Sequence, residues 1–330
     1  MKILNTPLTI RNLTLKNRIL LPPMAVVKGD MESRVTDELV AYYDEKAASG
    51  IFGLIVTEHC FVSPEGQASE RQLSVSRDSD ISGLQRIAEV IHKHGVPVIA
   101  QLNHAGGAAK REVIGRTPLA PGAVHVPGLG DPDLFPDVMT ESDIARVTDD
   151  FVSAALRVQK AGFDGVEIHA AHGYLLCQFF SPITNRRKDA WAGYTLEGRT
   201  RFPLSVIRAV RSAVGDSFPI SVRYGCCDYL PGGSTVDDAA AAAPSFAEAG
   251  TDLFDVSGGM CRYQRPEHPE PGYFSDQTAA VKKAASVPVA LAGGIRTPEQ
   301  AEQFLEEEKA DLIGIGRLSL SPGVDFSGWF

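Results

Sequence analysis

Eight short apolar segments alternate with helical patterns along almost the whole chain, and this alternation restricts the fold more than any other feature. The segments are Arg18–Met24, Ile51–Thr57, Val96–Leu102, Phe163–Ile168, Phe218–Tyr224, Leu253–Val256, Val287–Leu291 and Leu312–Ile315. Most are rich in Val, Ile and Leu, as expected of parallel strands covered on both faces. Between them run helical patterns at Thr36–Ser49, Ile81–His94, Asp143–Ala161, Glu197–Val214, Val236–Ala249, Ser275–Ala285 and Pro298–Glu308. Thr36 followed by Asp37-Glu38, and Thr297 followed by Pro298-Glu299, supply N-terminal caps. Eight strands interleaved with helices predict an α/β fold, a single (β/α)8 barrel over residues 1–330. A doubly wound open sheet is the alternative. Ahead of the first strand, Thr9-Ile-Arg-Asn-Leu-Thr-Leu-Lys16 reads as a hairpin plugging the far end of the barrel.

Long segments follow strands three and four. Residues 103–140 are dense in Gly and Pro, and residues 169–197 carry two histidines with Trp191 and Tyr194. Both leave the strand C-termini, the barrel face on which active sites are built. The fourth strand runs directly into His169-Ala-Ala-His172-Gly-Tyr174. Two imidazole N–H groups can grip a carbonyl oxygen while the phenol supplies a proton, which suits activation of an unsaturated carbonyl compound. A zinc pair or two structural histidines are the competing readings. No carboxylate or cysteine nearby in sequence completes a zinc set, and no metal is expected. Glu167, opposite in parity to Ile168, faces the barrel or a neighbouring strand as a structural residue.

The remaining strand ends carry Pro22-Pro23-Met24-Ala25, Glu58-His59, Gln101 with Asn103 and His104, Arg223, Ser257-Gly258-Gly259, Gly293-Gly294 and Gly316-Arg317. Glycines after strands seven and eight give a phosphate close access to backbone N–H groups, and Arg317 adds a clamp. A pair of tight turns is the blander reading of the same glycines.

Taken together, these residues resemble the Old Yellow Enzyme family of FMN-dependent ene-reductases, the NADH:flavin oxidoreductases. The resemblance runs from Leu4 to about Leu320. Its motifs include Leu15-Lys-Asn-Arg-Ile, Pro23-Met24, Ser63-Pro-Glu-Gly66, Gln101-Leu-Asn-His-Ala-Gly, Gly162-Phe-Asp-Gly-Val-Glu-Ile-His-Ala-Ala-His-Gly-Tyr, Phe180-Ser-Pro-Ile-Thr-Asn185-Arg and Asp311-Leu-Ile-Gly-Ile-Gly-Arg317, with Arg199 after Glu197. It implies a barrel holding FMN, reduced by NADH or NADPH, with hydride passing from flavin N5 to an activated alkene. By the same resemblance, backbone around Pro23, Met24 and Ala25 lies along the flavin ring, and Gln101 bonds its pyrimidine edge. Arg223 sits by N1 and the C2 carbonyl, where a guanidinium favours the anionic reduced ring. Gly293, Gly294, Gly316 and Arg317 hold the phosphate. His169 and His172 bind the substrate carbonyl, and Tyr174 is the proton donor.

The chain departs from the family at two places near the flavin. Ala25 stands where some members place a redox-tuning cysteine or threonine, and His59 stands where a small residue is commoner. The cysteine cluster that holds an iron–sulfur centre in larger relatives is not found, so that centre is not expected. Three alternatives remain on this scaffold: an amine (C–N) dehydrogenase or demethylase with an aromatic cage, a flavin-free phosphate-binding isomerase or lyase, and a non-catalytic flavin carrier. Trp191, Tyr194 and Tyr263 are the cage candidates. Trp191 and Tyr194 equally suit loop packing, and Cys226-Cys227 read as two small buried residues rather than a disulfide.

A net charge of −9 with no basic run argues against nucleic acid or an anionic membrane as partner. The absence of a signal-peptide core and of long apolar runs leads to an expected cytoplasmic location and a small-molecule substrate. Oligomerisation is open, and Phe326 with Trp329-Phe330 could dock on the barrel or on a second subunit.

Overall fold

The computed structural model describes residues 2–321, 324 and 326–329. An N-terminal hairpin comes first. Strands β1 (Leu8–Ile10) and β2 (Leu13–Leu15) pair antiparallel, with the turn residue Arg11 in the left-handed region. Then follow β3 (Ile19–Leu21), α1 (Asp37–Ala48), β4 (Leu54–Phe61), α2 (Ile81–His92) and β5 (Val98–Asn103). The first long segment folds as the short helix α3 (Arg111–Ile114) and two parallel strands, β6 (Leu119–Ala120) and β7 (Asp137–Val138). Next come α4 (Glu141–Lys160), β8 (Gly165–Ala170), α5 (Leu175–Phe180), α6 (Leu196–Val214) and β9 (Ile220–Gly225). The chain continues through α7 (Val236–Ala249), β10 (Leu253–Ser257), α8 (Ser275–Ala284), β11 (Val289–Ala292), α9 (Pro298–Glu306), β12 (Leu312–Gly314) and α10 (Arg317–Leu320).

Strands β3, β4, β5, β8, β9, β10, β11 and β12 form one closed, all-parallel barrel in that order, β12 pairing back to β3. All eight apolar segments are therefore barrel strands. The first is shorter than its sequence suggests, because Pro22 and Pro23 contribute no N–H to the ladder. The second runs further, to Phe61, through an irregularity between Thr57 and Cys60, so Glu58 and His59 lie within β4 rather than after it. Capping acts where expected: Thr36 Oγ1 accepts from Leu39 N–H, and Thr297 Oγ1 from Gln300 N–H.

The barrel interior changes character along its axis. Its lower layer is apolar, built from Leu20, Leu54, Val56, Ile99, Leu253, Ala290 and Leu312, and closed by hairpin residues Ile10 and Leu15. Burial gives this floor about 25 cal/mol for each Å² of apolar surface removed from water. The alternate strand residues, such as Val98, Ala100, Val166, Ile168 and Val222, pack outward against the helices. Above the floor the inward positions become polar. At the C-terminal end, Trp329 is buried and Phe326 lies 6.5 Å from Phe52 (ring centroids), so both dock on the barrel; Phe330 is outside the described residues. No described helix is long and apolar enough to cross a membrane.

Candidate active site

Parity along the strands decides which side chains enter the barrel. On β8, Gly165, Glu167 and His169 point inward; on β9, Ser221 and Arg223; on β5, Ile99, Gln101 and Asn103; on β10, Leu253, Asp255 and Ser257. The registers place Gln101 against Glu167, Glu167 against Ser221, His169 against Arg223, and Arg223 against Asp255. The result is a buried polar layer directly over the apolar floor.

In that layer Arg223 donates to Asp255 Oδ2, while Gln101 Nε2 and Ser221 Oγ each bond a Glu167 carboxyl oxygen at 2.8 Å. Burial, with Asp255 adding its negative charge, lifts the Glu167 carboxyl to about 8. Burial raises the Asp255 carboxyl too, but the Arg223 guanidinium bound to it opposes that rise, so of the two carboxyls Asp255 is the one placed to hold the layer's negative charge. Arg223 Nε, Asp255 Oδ1 and Asn103 Oδ1 are buried without partners. These orphaned atoms give a ring with its own polar edge groups something to bond.

His169, His172 and Tyr174 converge at the top of β8. The two imidazole centroids are 4.9 Å apart and nearly perpendicular, and the Tyr174 ring is 5.0 Å from His169. A left-handed turn at His172 (φ 60°) and Gly173 (φ 76°) folds the loop back, with His172 N–H donating to Gly258 O. His169 Nδ1 accepts from Ala171 N–H, which puts its proton on Nε2, free to donate. His172 Nε2 is 2.7 Å from Ser257 Oγ. Burial holds both imidazoles well below their ordinary range; His172, then His59, then Arg223 act next on His169, and Arg223, then His59, then Arg262 on His172. Both are neutral donors at neutral pH. Burial pushes the Tyr174 phenol up to about 12, so it retains its proton.

His59 belongs to the same cluster. Its Nδ1 faces the amide nitrogens of Gln72 and Asn103 at 3.2 and 3.1 Å, leaving the proton on Nε2. Its ring stands 5.4 Å from Tyr174 and 6.1 Å from His169. Burial alone takes it down to about 4. The neighbouring Glu58 is lifted to about 7 by burial and faces the amides of Val26 and Val27, tying β4 to the loop that carries Pro23, Met24 and Ala25. Ala25 is exposed.

The glycines after β11 and β12 stand together. The amides of Gly293, Gly294, Gly316 and Arg317 donate to no protein acceptor among the described residues. Gly293 (φ 149°) and Gly294 (φ 72°) require glycine, and a Cβ at Gly293 would come within 2.9 Å of the Tyr273 ring. Tyr273 also links the two ends, because Arg317 Nη2 donates to its hydroxyl at 2.9 Å. A Cβ on Gly316 would meet Met24 Sδ at 2.9 Å, which brings the first strand end to the same place. Free amides beside a guanidinium suit a phosphate.

Asp255, Gln72 and Tyr273 carry no assignment from sequence, and Asn103 and Ser257 stand there only as strand-end residues without a role. Asp255 and Ser257 had a signal: they share parity with Leu253 on a strand next to Arg223. Gln72 and Tyr273 sit in loops and had none. Of the cage candidates, Trp191 packs edge-on to Phe202, Tyr194 is 74% exposed, and Tyr263 lies 6.3 Å from His172. They do not converge, and Trp191 takes the loop-packing role. All five cysteines are free. No group of three His, Cys, Asp or Glu among the described residues is placed to hold a metal ion.

Comparison with known proteins fixes first the class, the FMN-dependent oxidoreductases built on a (β/α)8 barrel. Within it the chain belongs to the NADH:flavin oxidoreductase / NADH oxidase family, whose profile matches residues 3–323. An NADH oxidase of Thermoanaerobacter brockii is 37% identical over 314 residues, 93% of this chain but 48% of the relative. This chain therefore spans about half the length of that protein. An NADPH dehydrogenase of Geobacillus thermodenitrificans is 38% identical over 96% of this chain and 90% of its own. Among solved structures, a 2-naphthoyl-CoA reductase superposes with TM-score 0.89 at 26% identity, over 97% of this chain and 51% of that one. An old yellow enzyme homologue from Zymomonas mobilis gives TM-score 0.83 at 28% identity, covering 95% and 88%. Histamine dehydrogenase from a Rhizobium species gives 0.85 at 26%, covering 96% and 46%.

Proposed function

We propose that the protein is an ene-reductase that takes electrons from NADH or NADPH and reduces the C=C bond of an α,β-unsaturated carbonyl compound. The observation that carries this reading is the meeting of two neutral imidazoles and a protonated phenol at the end of one strand, above the Arg223 layer. FMN, when bound, supplies the hydride. The free amides at Gly293, Gly294, Gly316 and Arg317 would hold its phosphate. Gln101, Arg223, His59 and the backbone of Pro23, Met24 and Ala25 would hold its ring. His169 Nε2–H and the His172 ring bind the substrate carbonyl and draw electron density toward its oxygen. Because neither imidazole is charged, they polarise without protonating the oxygen prematurely. Tyr174 holds its proton at Oη and delivers it to the carbon α to the carbonyl, a role that suits a group with a pKa of about 12.

The test separates the two half-reactions. Tyr174→Phe should slow reoxidation of the reduced protein by 2-cyclohexenone by about 10²-fold or more. Reduction by NADPH should change much less. Equal slowing of both would remove Tyr174 from the proton-donor role. Bleaching without enone-driven return in the unsubstituted protein would favour the second reading, C–N oxidation, for which the superposition with histamine dehydrogenase speaks. Against it stands the dispersal of Trp191, Tyr194 and Tyr263.

A further inference from the structure

The loop after β10 carries, at Arg262, a cation with no counter-charge among the described residues. It is firmly held: Met260 N–H donates to Asp228 Oδ1 and Gly259 N–H to Cys227 O, both at 2.8 Å. Arg262 then adopts a left-handed backbone (φ 62°), with its own N–H on Gly259 O. An arginine in that region carries strain that the surrounding loop must impose. Its guanidinium has no carboxylate, carbonyl or ring partner among the described residues. Arg265, three positions on, is by contrast paired with Asp276, with Tyr273 O and with the Tyr229 ring.

Position gives the unpaired charge its meaning. Arg262 Nη2 lies 2.9 Å from where a Cβ on Gly128 would stand, in the long loop after β5. Val126 and Leu129 of that loop, with Met260, close over Gly173, the residue between His172 and Tyr174. Three loops thus meet above the imidazole pair, and Arg262 is their cation. Its field reaches His172 and Tyr174, favouring the neutral imidazole and opposing phenol protonation.

We infer that Arg262 is an anion anchor that makes this site select activated alkenes carrying a carboxylate in addition to the carbonyl held by His169 and His172. The inference rests on the carbonyl-binding role proposed above for those histidines. A carboxylate offers the planar guanidinium two parallel N–H···O bonds and replaces its missing counter-charge. In a partly closed cleft such a charged hydrogen bond is worth roughly ten- to a hundredfold in affinity.

The probes are 4-hydroxybenzoate and its neutral analogue 4-hydroxybenzamide, titrated into the oxidised FMN-loaded protein and followed by the change in flavin absorbance. The readout is the ratio of their dissociation constants. The unsubstituted protein should favour the anion by tenfold or more, and the ratio should shrink with added salt. Arg262→Gln should bring it close to one, and Arg262→Lys should restore part of it. If either variant fails to fold, the salt dependence in the unsubstituted protein still decides. A ratio near one there, with the amide binding well, overturns the anchor and leaves the ene-reductase reading standing. Failure of both probes to perturb the flavin overturns the carbonyl site and the anchor with it. An Arg262→Gln variant that keeps the anion preference but loses reduction by NADPH relative to NADH would assign the cation to a coenzyme phosphate and also overturn the anchor.

Discussion

Replacing Glu167 with glutamine should stabilise the protein, and increasingly so as the pH rises. Glu167 is completely buried, and burial with the nearby Asp255 charge lifts it from an ordinary value of 4.5 to about 8. A carboxyl whose native pKa lies above its unfolded one binds its proton more tightly when folded. Its contribution is therefore fully present below about 4.5 and is lost as the pH climbs through 8. Integrating between those two values gives a penalty of about 1 kcal/mol at pH 5, about 3 at pH 7 and about 4 at pH 8. Glutamine mimics the protonated acid: its Oε1 accepts from Gln101 Nε2, and its Nε2 donates to Ser221 Oγ, so both 2.8 Å contacts survive. Urea unfolding of the two proteins at pH 5, 7 and 8 measures the difference directly. Infrared difference spectra should show the stretch of a protonated carboxylic acid in the unsubstituted protein alone. A stability difference that stays flat from pH 5 to 8 would mean that Glu167 is ionised in the fold, and the assignment of the layer's negative charge to Asp255 alone would fail.

Three further outcomes follow from the site. Ser257→Ala removes the partner of His172 Nε2 and should weaken binding of 4-hydroxybenzamide about three- to tenfold while flavin content stays constant, read by absorbance titration. Gly293→Ala forces a side chain to a φ of 149° and against the Tyr273 ring; it should cost about 1–3 kcal/mol and shorten FMN retention on gel filtration, whereas Gly115→Ala, also left-handed but with open space around it, should spare the flavin. Because burial holds His169 and His172 well below 6.5, affinity for a neutral ligand should stay level as the pH falls from 8 to 6, and decline only further down, where the depressed imidazoles at last charge. Isothermal titration across that range would expose an imidazole that titrates near its ordinary value.

The fold was legible because its elements carry local signals: β-branched runs for the strands, Thr caps for α1 and α9, and glycines at the ends of β11 and β12. Strand boundaries were less so. Pro22-Pro23 visibly stops β3, but the irregularity at Thr57 and Cys60 that draws Glu58 and His59 into β4 depends on pairing with β5 and leaves no mark in the sequence. The His169, His172 and Tyr174 cluster was legible because one strand and one tight turn deliver all three. Its supports were not, since Ser257, Asn103 and Gln72 arrive from other elements and only the closed register brings them together. The loop over residues 103–140 was opaque for the same reason. Its meeting with Arg262 across Gly128 joins segments that lie far apart along the chain.

Arg223 shows why the layers cannot be considered separately. Its guanidinium is the counter-ion of Asp255 and so fixes where the layer's negative charge resides. It also opposes the rise of the Glu167 carboxyl. The same charge, in register with His169 on the next strand, helps keep both imidazoles neutral. Removing it would strand Asp255 as a buried charge, at a cost of about 3–5 kcal/mol, and would let the imidazoles move back toward protonation. An Arg223→Met, Asp255→Leu double substitution avoids the stranded charge. It should fold better than Arg223→Met alone, yet His169 and His172 should titrate at higher pH than in the unsubstituted protein. If NMR of the ring carbons found them unmoved, burial by itself would account for their neutrality, and Arg223 would matter to this site only through Asp255.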